Sequence, residues 1–295
     1  MTNNGTPEFR VLYIASASVT DRLIVSQVLR YLEVLAGEGV GFHLITFERA
    51  PIAAAEQDQI RDELRESGVV WHPVLSAGRS RILRSSRDIW NGYRTARRVL
   101  REYDIPIVHA RSFIPGQIGR ILQRQTSARL LYDCRSFWTA QKFLTGAIRS
   151  PWLRRRLQRW EDRLYREATV LSVLTQAAAR HLAARGVQTP TYVVPTCVDT
   201  RIFIPPDERH QSSHSHLVYA GSLGPVYQPD LVFRFFRAFR QQRPDAHLLL
   251  LSSASPEQVR ELATECGCDA GSVTFETVPP ADMPRRLRSA AAGLS

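Results

Sequence analysis

Little in this sequence points outside the cell or into a membrane. Its four cysteines are too few, over 295 residues, for the disulfide framework of a secreted protein. Residues 1–8 lack the charged and apolar regions of a signal peptide. No apolar run reaches the ~18 residues that a spanning helix needs. We therefore expect a cytoplasmic protein with reduced thiols.

Patterns that bind metal ions are also scarce. Cys266 and Cys268 form a C-x-C pair without a second pair or a histidine nearby. His210, His214 and His216 stand in a polar segment without cysteine, and we interpret them as solvated side chains. No D-x-D motif is flanked by strand patterns, so the sequence predicts no metal site.

Lysine is nearly missing: Lys142 is the one lysine, and all other Lys or Arg positions are arginines. The formal net charge is nevertheless +11, and residues 149–166 alone hold seven arginines against Glu161 and Asp162. Zinc-finger spacing, an RNP-like strand and a basic zipper are absent, so we expect no nucleic-acid partner. An anionic lipid surface or a phosphorylated substrate fits the charge.

Strand and helix patterns alternate along the chain. Short apolar runs such as 10–16 and 42–48 are separated by helical spacing, as at Val28, Leu32 and Leu35. About seven strands are predicted in the first part of the chain and three in the last part. This alternation is typical of βαβ units in a parallel sheet, which makes the fold class α/β.

Residues 199–216 interrupt the alternation with two prolines, three serines and many charged side chains, as a domain linker would. The sequence therefore predicts a first Rossmann-like domain over residues 1–198, a linker over 199–216, and a partial second Rossmann-like domain over 217–295.

The second domain opens on LVYAGSLGPVYQPDLVFRFF, residues 217–236, an apolar strand followed by a glycine turn and a helical pattern. Such a unit builds a phosphate cradle, because glycine allows a close approach and the helix N-terminus presents free N–H groups. Counted from Gly221, the remaining glycines of G-x-G-x-x-G would fall on Leu223 and Val226, so the dinucleotide fingerprint is absent. A plain tight turn remains the alternative interpretation.

Polar residues end two neighbouring strands of the first domain. His109, Arg111 and Ser112 close one strand, while Asp133 and Arg135 stand two apart at the end of the next, so their side chains point the same way. The carboxyl ends of parallel strands line the crevice where α/β sheets bind ligands. The alternatives are a histidine satisfied by backbone and a salt bridge that shapes the loop.

Five segments along the chain carry a family likeness. They are SQVLRYLEVLAGEGVGFHLITFE (26–48), IVHARSFIPGQIGRIL (107–122), LLYDCRSFW (130–138), VVPTCVDTRIFIPP (193–206) and YAGSLGPVYQPDLVFRFF (219–236). Together they resemble bacterial family 4 glycosyltransferases, the "group 1" retaining enzymes. Two departures are Ser136 and Cys197, which stand where the family usually has glycine.

The resemblance implies the GT-B architecture of two Rossmann-like domains. It implies transfer of a hexose from a nucleotide sugar to a glycan or lipid-linked acceptor, in cell-envelope or polysaccharide synthesis, without a cofactor. By this likeness His109, Asp133 and Arg135 are candidate catalytic residues, and Arg111 and Ser112 are candidate substrate-binding residues.

Donor binding is assigned by the same likeness to Gly221, Ser222 and Gly224, since N–H groups aimed at the leaving diphosphate stabilise its growing charge. Many relatives place Arg and Lys in this loop and helix start, whereas this chain has Ser222 and Gln228. In the family a glycine-rich loop and an acidic E-x7-E segment follow the strand that begins near Gly293. We therefore expect a chain truncated within the donor domain and inactive on its own.

Two other functions stay open on this fold. One is a non-catalytic remnant that binds a sugar or a lipid through the first domain. The other is an epimerase or a phosphorylase, and the latter is disfavoured because it needs a pyridoxal-type lysine and Lys142 lies in a loop-like context.

The basic segment 151–166 has its own two interpretations. Leu153, Leu157, Trp160 and Leu164 recur at helical spacing and form one apolar stripe. The helix either packs on the core with a solvated basic face or contacts the inner face of an anionic membrane.

Overall fold

The computed structural model describes residues 9–76, 81–205 and 216–294. Their contacts divide the chain into two compact units, one up to Cys197 and one from Val198 onwards. Each unit is built around one parallel sheet. Most of the predicted linker, including His210 and His214, lies outside the described residues.

The first unit alternates strands and helices as the sequence predicts. A five-residue π-helical segment, Val25–Leu29, joins its first two helices. The strands are β1 (Phe9–Ala15), β2 (Val40–Glu48), β3 (Val69–Leu75), β4 (Ile107–Arg111), β5 (Arg129–Cys134), β6 (Val170–Val173) and β7 (Thr191–Val193). The helices are α1 (Arg22–Ile24), α2 (Arg30–Gly37), α3 (Ala54–Glu66), α4 (Arg81–Tyr103), α5 (Phe113–Gln125), α6 (Trp138–Leu144), α7 (Pro151–Glu167) and α8 (Gln176–Ala184).

The seven strands lie in the order β3-β2-β1-β4-β5-β6-β7, and all neighbouring pairs are parallel. The winding reverses between β1 and β4. Open α/β sheets bind ligands at such a switch point, beyond the carboxyl ends of the strands. The fold thereby singles out the ends of β1, β4 and β5.

Alternate strand residues supply the two cores of this sheet. Leu12 and Ile14 pack with residues of α4, α5 and α7, whereas Tyr13 and Leu44 pack on the opposite face with Leu32 of α2. Burial of both faces explains why the strands are nearly continuous apolar runs.

Helix α5 lies close to the sheet because two of its glycines face neighbouring side chains. A Cβ at Gly119 would stand 2.5 Å from Cδ1 of Leu130 in β5, and one at Gly116 would stand 2.8 Å from Cε2 of Tyr132 in the same strand. The close packing fixes the start of α5 beside the end of β4.

Helices α4, α5 and α7 cover one face of the sheet and are unusually basic. They contain 15 arginines and five acidic residues, so most of the formal charge of +11 lies in this layer. Its exposed side chains include Trp90, Trp152 and Trp160. None of the helices in the described ranges has the length and apolar character that crossing a bilayer requires.

Helix α7 buries a different set of residues from the predicted stripe. Leu164 is buried as expected, but Trp160 is 38% exposed and Glu161 is buried instead. The Glu161 carboxylate accepts hydrogen bonds from the backbone N of Trp138 (2.7 Å) and of Thr139 (3.2 Å). It therefore caps the N-terminus of α6, a helix that the sequence analysis did not predict.

The second unit contains β8 (His216–Ala220), β9 (His247–Leu251), β10 (Val273–Glu276), β11 (Ala292–Leu294), α9 (Pro229–Gln242), α10 (Pro256–Glu265) and α11 (Met283–Arg288). Its strand order is β10-β9-β8-β11. A fourth strand joins the three expected because Ala292 pairs with Leu217 of β8. The winding reverses at β8, so the loop after β8 also follows a switch point.

Candidate functional site

Three polar residues stand in one row across the first sheet. Arg111 of β4 lies opposite Asp133 of β5, and Asp133 lies opposite Ser172 of β6. Two residues earlier along these strands, Tyr13 of β1 lies opposite His109 of β4. Two-residue spacing places these side chains on the same face, at the switch point.

Asp133 is enclosed by cations. Its side chain is only 6% exposed, and its oxygens lie 3.5 Å from Arg111 Nη1 and 3.8 Å from Arg135 Nη1. Ser172 Oγ donates a hydrogen bond to it at 3.3 Å. Burial raises the pKa of Asp133, and the Arg135 and Arg111 guanidiniums oppose that rise. The Asp133–Arg135 pair is thus an ion pair with a second arginine attached.

Gln27 completes this cluster, although no pattern in the sequence indicated it. Its Oε1 accepts hydrogen bonds from Arg111 Nη2 at 2.7 Å and from Arg135 Nη2 at 3.3 Å. Gln27 lies in the π-helical segment. Such π-bulges are frequent at functional sites, yet helical spacing counted from the sequence does not reveal them.

His109 is held in its neutral form. Its ring lies 4.3 Å, centroid to centroid, from that of Tyr13. Burial lowers the pKa of His109 to about 3, with Arg111 and Arg135 contributing. Its Nε2 is buried and has no hydrogen-bond partner among the described residues. The imidazole therefore keeps one nitrogen uncommitted, although that atom is enclosed in this structure.

Ser112 links β4 to α5 in a strained conformation. Its φ is +75°, which a residue with a side chain rarely adopts, and its side chain does not cap α5. Its backbone N donates to the carbonyl oxygen of Asp133 at 3.0 Å. Strained residues cluster at functional sites, and this one stands directly beside Arg111.

The last residues of the first unit are tied to the same cluster. Arg135 Nη2 donates to Thr196 Oγ1 at 2.8 Å. Tyr31 Oη donates to the carbonyl oxygen of Pro195 at 3.3 Å and accepts from the backbone N of Cys197 at 3.2 Å. The charged cluster therefore extends to the residues at which the first unit ends.

The predicted donor loop differs from a free phosphate cradle. Gly221 N donates to the carbonyl oxygen of Leu251 at 3.1 Å, and Gly224 N donates to Ser222 Oγ at 3.2 Å. Two of its amides are thus already used within the protein. Helix α9 begins at Pro229, which has no N–H to offer.

The first glycine of this loop, Gly221, is needed because the Tyr219 side chain lies close to it, and not because its backbone is strained. A Cβ at Gly221 would stand 3.0 Å from Tyr219 Oη, whereas Gly224 has an ordinary φ of −71°. The left-handed conformation falls instead on Gln228, with φ +46°, just before α9. The loop is shaped by Tyr219, whose hydroxyl also donates to the carbonyl oxygen of Ser222 at 2.8 Å.

Within the described ranges, no group of three or more His, Cys, Asp or Glu side chains could hold a metal ion. The cluster itself contains two arginines, one carboxylate and a neutral imidazole.

Comparison with known proteins supports a family assignment. Residues 24–197, more than half of the chain, match the family model described as "Glycosyl transferase 4-like domain". Among curated proteins, none matches the chain.

Solved structures share the fold at low sequence identity. Sucrose-phosphate synthase (tll1590) from Thermosynechococcus elongatus aligns with a TM-score of 0.68 and 15% identity over 97% of this chain and 75% of that one. Anabaena Alr3699/HepE, solved with UDP and glucose, aligns with a TM-score of 0.65 and 10% identity over 97% and 73% of the two chains. A putative UDP-N-acetylglucosamine 2-epimerase from Listeria monocytogenes aligns with a TM-score of 0.53 and 14% identity over 92% and 70%. The two parallel-sheet units have the GT-B fold that was predicted.

Proposed function

Since the chain belongs to the glycosyl transferase 4-like family, we propose that it serves retaining transfer of a hexose from a nucleotide sugar to a glycan or lipid-linked acceptor in cell-envelope or polysaccharide synthesis. The observation that carries this proposal is the cluster at the switch point of the first sheet. Two guanidiniums, one carboxylate and a neutral imidazole stand together there, where α/β sheets bind ligands.

The roles follow from what each group can do. The unpaired Nε2 of a neutral His109 can accept a hydrogen bond from an acceptor hydroxyl or donate one to it. Asp133 and Arg135 hold each other in place and orient the acceptor, and Arg111 and Ser112 bind its polar groups. Positioning of this kind is sensitive to displacements of about 1 Å.

The nucleotide sugar is the proposed ligand of the second unit. Gly221, Ser222 and Gly224 lie on the loop after β8, and a backbone N–H group that faces a diphosphate stabilises its charge. Because two loop amides are internally bonded, we propose that this loop binds the donor weakly by itself. Residues 1–295 alone are accordingly proposed to show no measurable transfer.

Transfer is tested with the reading frame as it occurs in genomic DNA, a panel of nucleotide sugars and a membrane extract as acceptor. We expect His109→Phe, which keeps a ring but removes the unpaired nitrogen, to lower turnover by about 100-fold without lowering the melting temperature. His181→Gln, an exposed residue of α8, is the control. Turnover by residues 1–295 alone would contradict the proposed inactivity, and full turnover of His109→Phe would remove His109 from the site.

Two alternatives are separated by the same assay. The epimerase match favours a second reaction on this fold, and it predicts conversion of a UDP-sugar without any acceptor. A non-catalytic remnant predicts sugar or lipid binding with no turnover from the complete reading frame.

We also propose a cytoplasmic location with peripheral contact between residues 151–166 and the inner face of a membrane. The support is the exposed basic side of α7, where Arg156 lies 5.6 Å from the ring centroid of Trp152 and 5.8 Å from that of Trp160. Indole rings beside arginines suit the boundary between lipid headgroups and acyl chains.

A further inference from the structure

The charged cluster of the first unit contains more positive than negative charge. Arg111 and Arg135 have side chains that are only 11% and 14% exposed, and both pair with Asp133. Among the described residues, Asp133 is the one carboxylate paired with either guanidinium. Because arginine stays protonated in proteins, the cluster holds one uncompensated cation.

Such a surplus is costly in a nearly buried site. Removing a charge from water without a full counter-charge is unfavourable, and proteins compensate it by pairing. Burial lowers the pKa of Arg135, and the neighbouring Arg111 lowers it further, while Asp133 opposes the shift. Asp133 therefore does not fully balance the two arginines.

A neutral group, the Gln27 amide, bridges the two guanidiniums. Gln27 Oε1 accepts hydrogen bonds from both guanidiniums, at 2.7 Å from Arg111 Nη2 and 3.3 Å from Arg135 Nη2. An amide oxygen satisfies the geometry without supplying charge. Hydrogen bonds from guanidinium to an ionised oxygen are roughly twice as strong.

The surroundings favour an anion as well. Helix α5, of 13 residues, begins at Phe113, two residues after Arg111, and its N-terminus carries partial positive charge. Ser112, which leads into α5, does not cap it with its side chain.

We propose that Arg111 and Arg135, positioned by Gln27, bind an oxyanion, a phosphate or a carboxylate carried by the acceptor. This inference gives the chemical class of the acceptor. It rests on the proposed function only in calling the bound ligand an acceptor. The anion completes the charge balance that Asp133 leaves open. In its absence Gln27 Oε1 bridges the two guanidiniums.

The test is the melting temperature of residues 1–295 titrated with inorganic phosphate against chloride at constant ionic strength. A ligand that binds only the folded state raises the melting temperature saturably, by mass action. We expect such a rise for the natural sequence. Arg135→Gln should weaken the apparent phosphate affinity by about tenfold or more, because one charge-assisted contact is lost.

Gln27→Glu is the decisive variant, since it places a carboxylate between the two guanidiniums and keeps the shape of the side chain. We expect a protein at least as stable as the natural one, whose melting temperature no longer responds to phosphate. Arg65→Gln, on the exposed side of α3, is the matched control and should keep the full response.

Several outcomes overturn the inference. They are no response in the natural protein, an unchanged response in Gln27→Glu, or an equal loss in Arg65→Gln, which would indicate non-specific binding to basic surfaces. Glucose 6-phosphate and glucuronate distinguish phosphate from carboxylate, and an equal response to uncharged glucose also overturns it. Phosphate binding needs no donor, so failed transfer with intact binding affects the proposed function alone.

Discussion

At the scale of single residues, the two central polar groups of the site behave differently. Asp133 lies between two guanidiniums, so its replacement leaves both without a counter-charge, and removing one partner of a buried pair is strongly destabilising. His109 has an unpaired nitrogen, whose removal costs no hydrogen bond. Asp133→Asn therefore mixes stability with activity, and His109→Phe separates them.

Two neighbouring histidines outside the candidate site, His43 and His72, make stability depend on pH. His43 Nδ1 lies 3.0 Å from His72 Nε2, and the His43 ring lies 4.1 Å from that of Tyr103. Burial lowers the pKa of both histidines to about 4, with Arg10 adding to the effect on His43 and the charges of His43 and Arg98 to that on His72.

The folded state thus binds fewer protons than the unfolded state between about pH 6.5 and pH 4. We expect the contribution of these two histidines to the free energy of unfolding to be complete above pH 6.5 and to fall as the pH decreases towards 4. Each proton taken up on unfolding contributes about 1.4 kcal/mol per pH unit.

Urea unfolding at pH 7, 6 and 5 measures this slope. His72→Gln can still hydrogen-bond His43 but removes one titrating ring, so the slope should become shallower. An identical slope in His72→Gln would show that other groups set the acid sensitivity.

At the scale of elements, the position of α5 decides the site, since it packs on β4 and leads from Ser112. Gly119→Ala would force a Cβ to 2.5 Å from Leu130 Cδ1 and 3.3 Å from Ala110 Cβ. We expect a loss of about 1–3 kcal/mol in the free energy of unfolding, as overpacked cores show. The measurement is chemical denaturation.

Gly37→Ala is the matched control, because Gly37 lies at the end of α2 and a Cβ added there would meet nothing within 4 Å. Its effect should be neutral or stabilising, since alanine suits a helix better than glycine. Equal losses in both variants would mean that close packing of α5 does not determine stability.

The sequence predicted the elements whose apolar pattern repeats, and it missed those that depend on distant partners. The seven strands of the first sheet follow from alternation, but α6 depends on Glu161, which lies 23 residues after Trp138. Strand β11 is three residues long and pairs with β8, and its start near Gly293 was expected from the family resemblance and not from the apolar pattern.

The candidate site divides in the same way. Asp133, Arg135 and Arg111 were predicted as site residues because they stand at the carboxyl ends of strands. Gln27 was not, because its place opposite two arginines depends on a π-helical segment about 84 residues before Arg111. The spacing of residues along the sequence does not reveal a contact between residues that are this far apart in the chain.

At the scale of the whole molecule, charge is divided unevenly. Residues 1–197 contain 29 basic and 17 acidic side chains, and residues 198–295 contain 10 and 11. The surplus belongs to the first unit, chiefly to the layer of α4, α5 and α7. The second unit is close to neutral.

We expect this layer to bind vesicles that contain phosphatidylglycerol, with co-sedimentation that rises with anionic lipid and falls with salt. Arg155→Gln with Arg156→Gln should weaken binding, because each arginine near such a surface adds about 1 kcal/mol.

The control for this experiment removes the same charge from the other face of the sheet. Arg61→Gln with Arg65→Gln changes α3 and should leave vesicle binding nearly unchanged. Binding that ignores salt and lipid charge, or that falls equally in both pairs, would leave α7 as a helix with a merely solvated basic side.

One consequence of the uneven layer concerns events before contact. A patch with 15 arginines and five acidic residues gives the first unit an electric dipole, and a polyanionic surface within about a Debye length, ~10 Å at 0.1 M salt, exerts a torque on it. This torque turns the first unit as it approaches the surface, so that each encounter begins with the face formed by α4, α5 and α7. Salt should accordingly slow association more than it shortens the lifetime of the bound state.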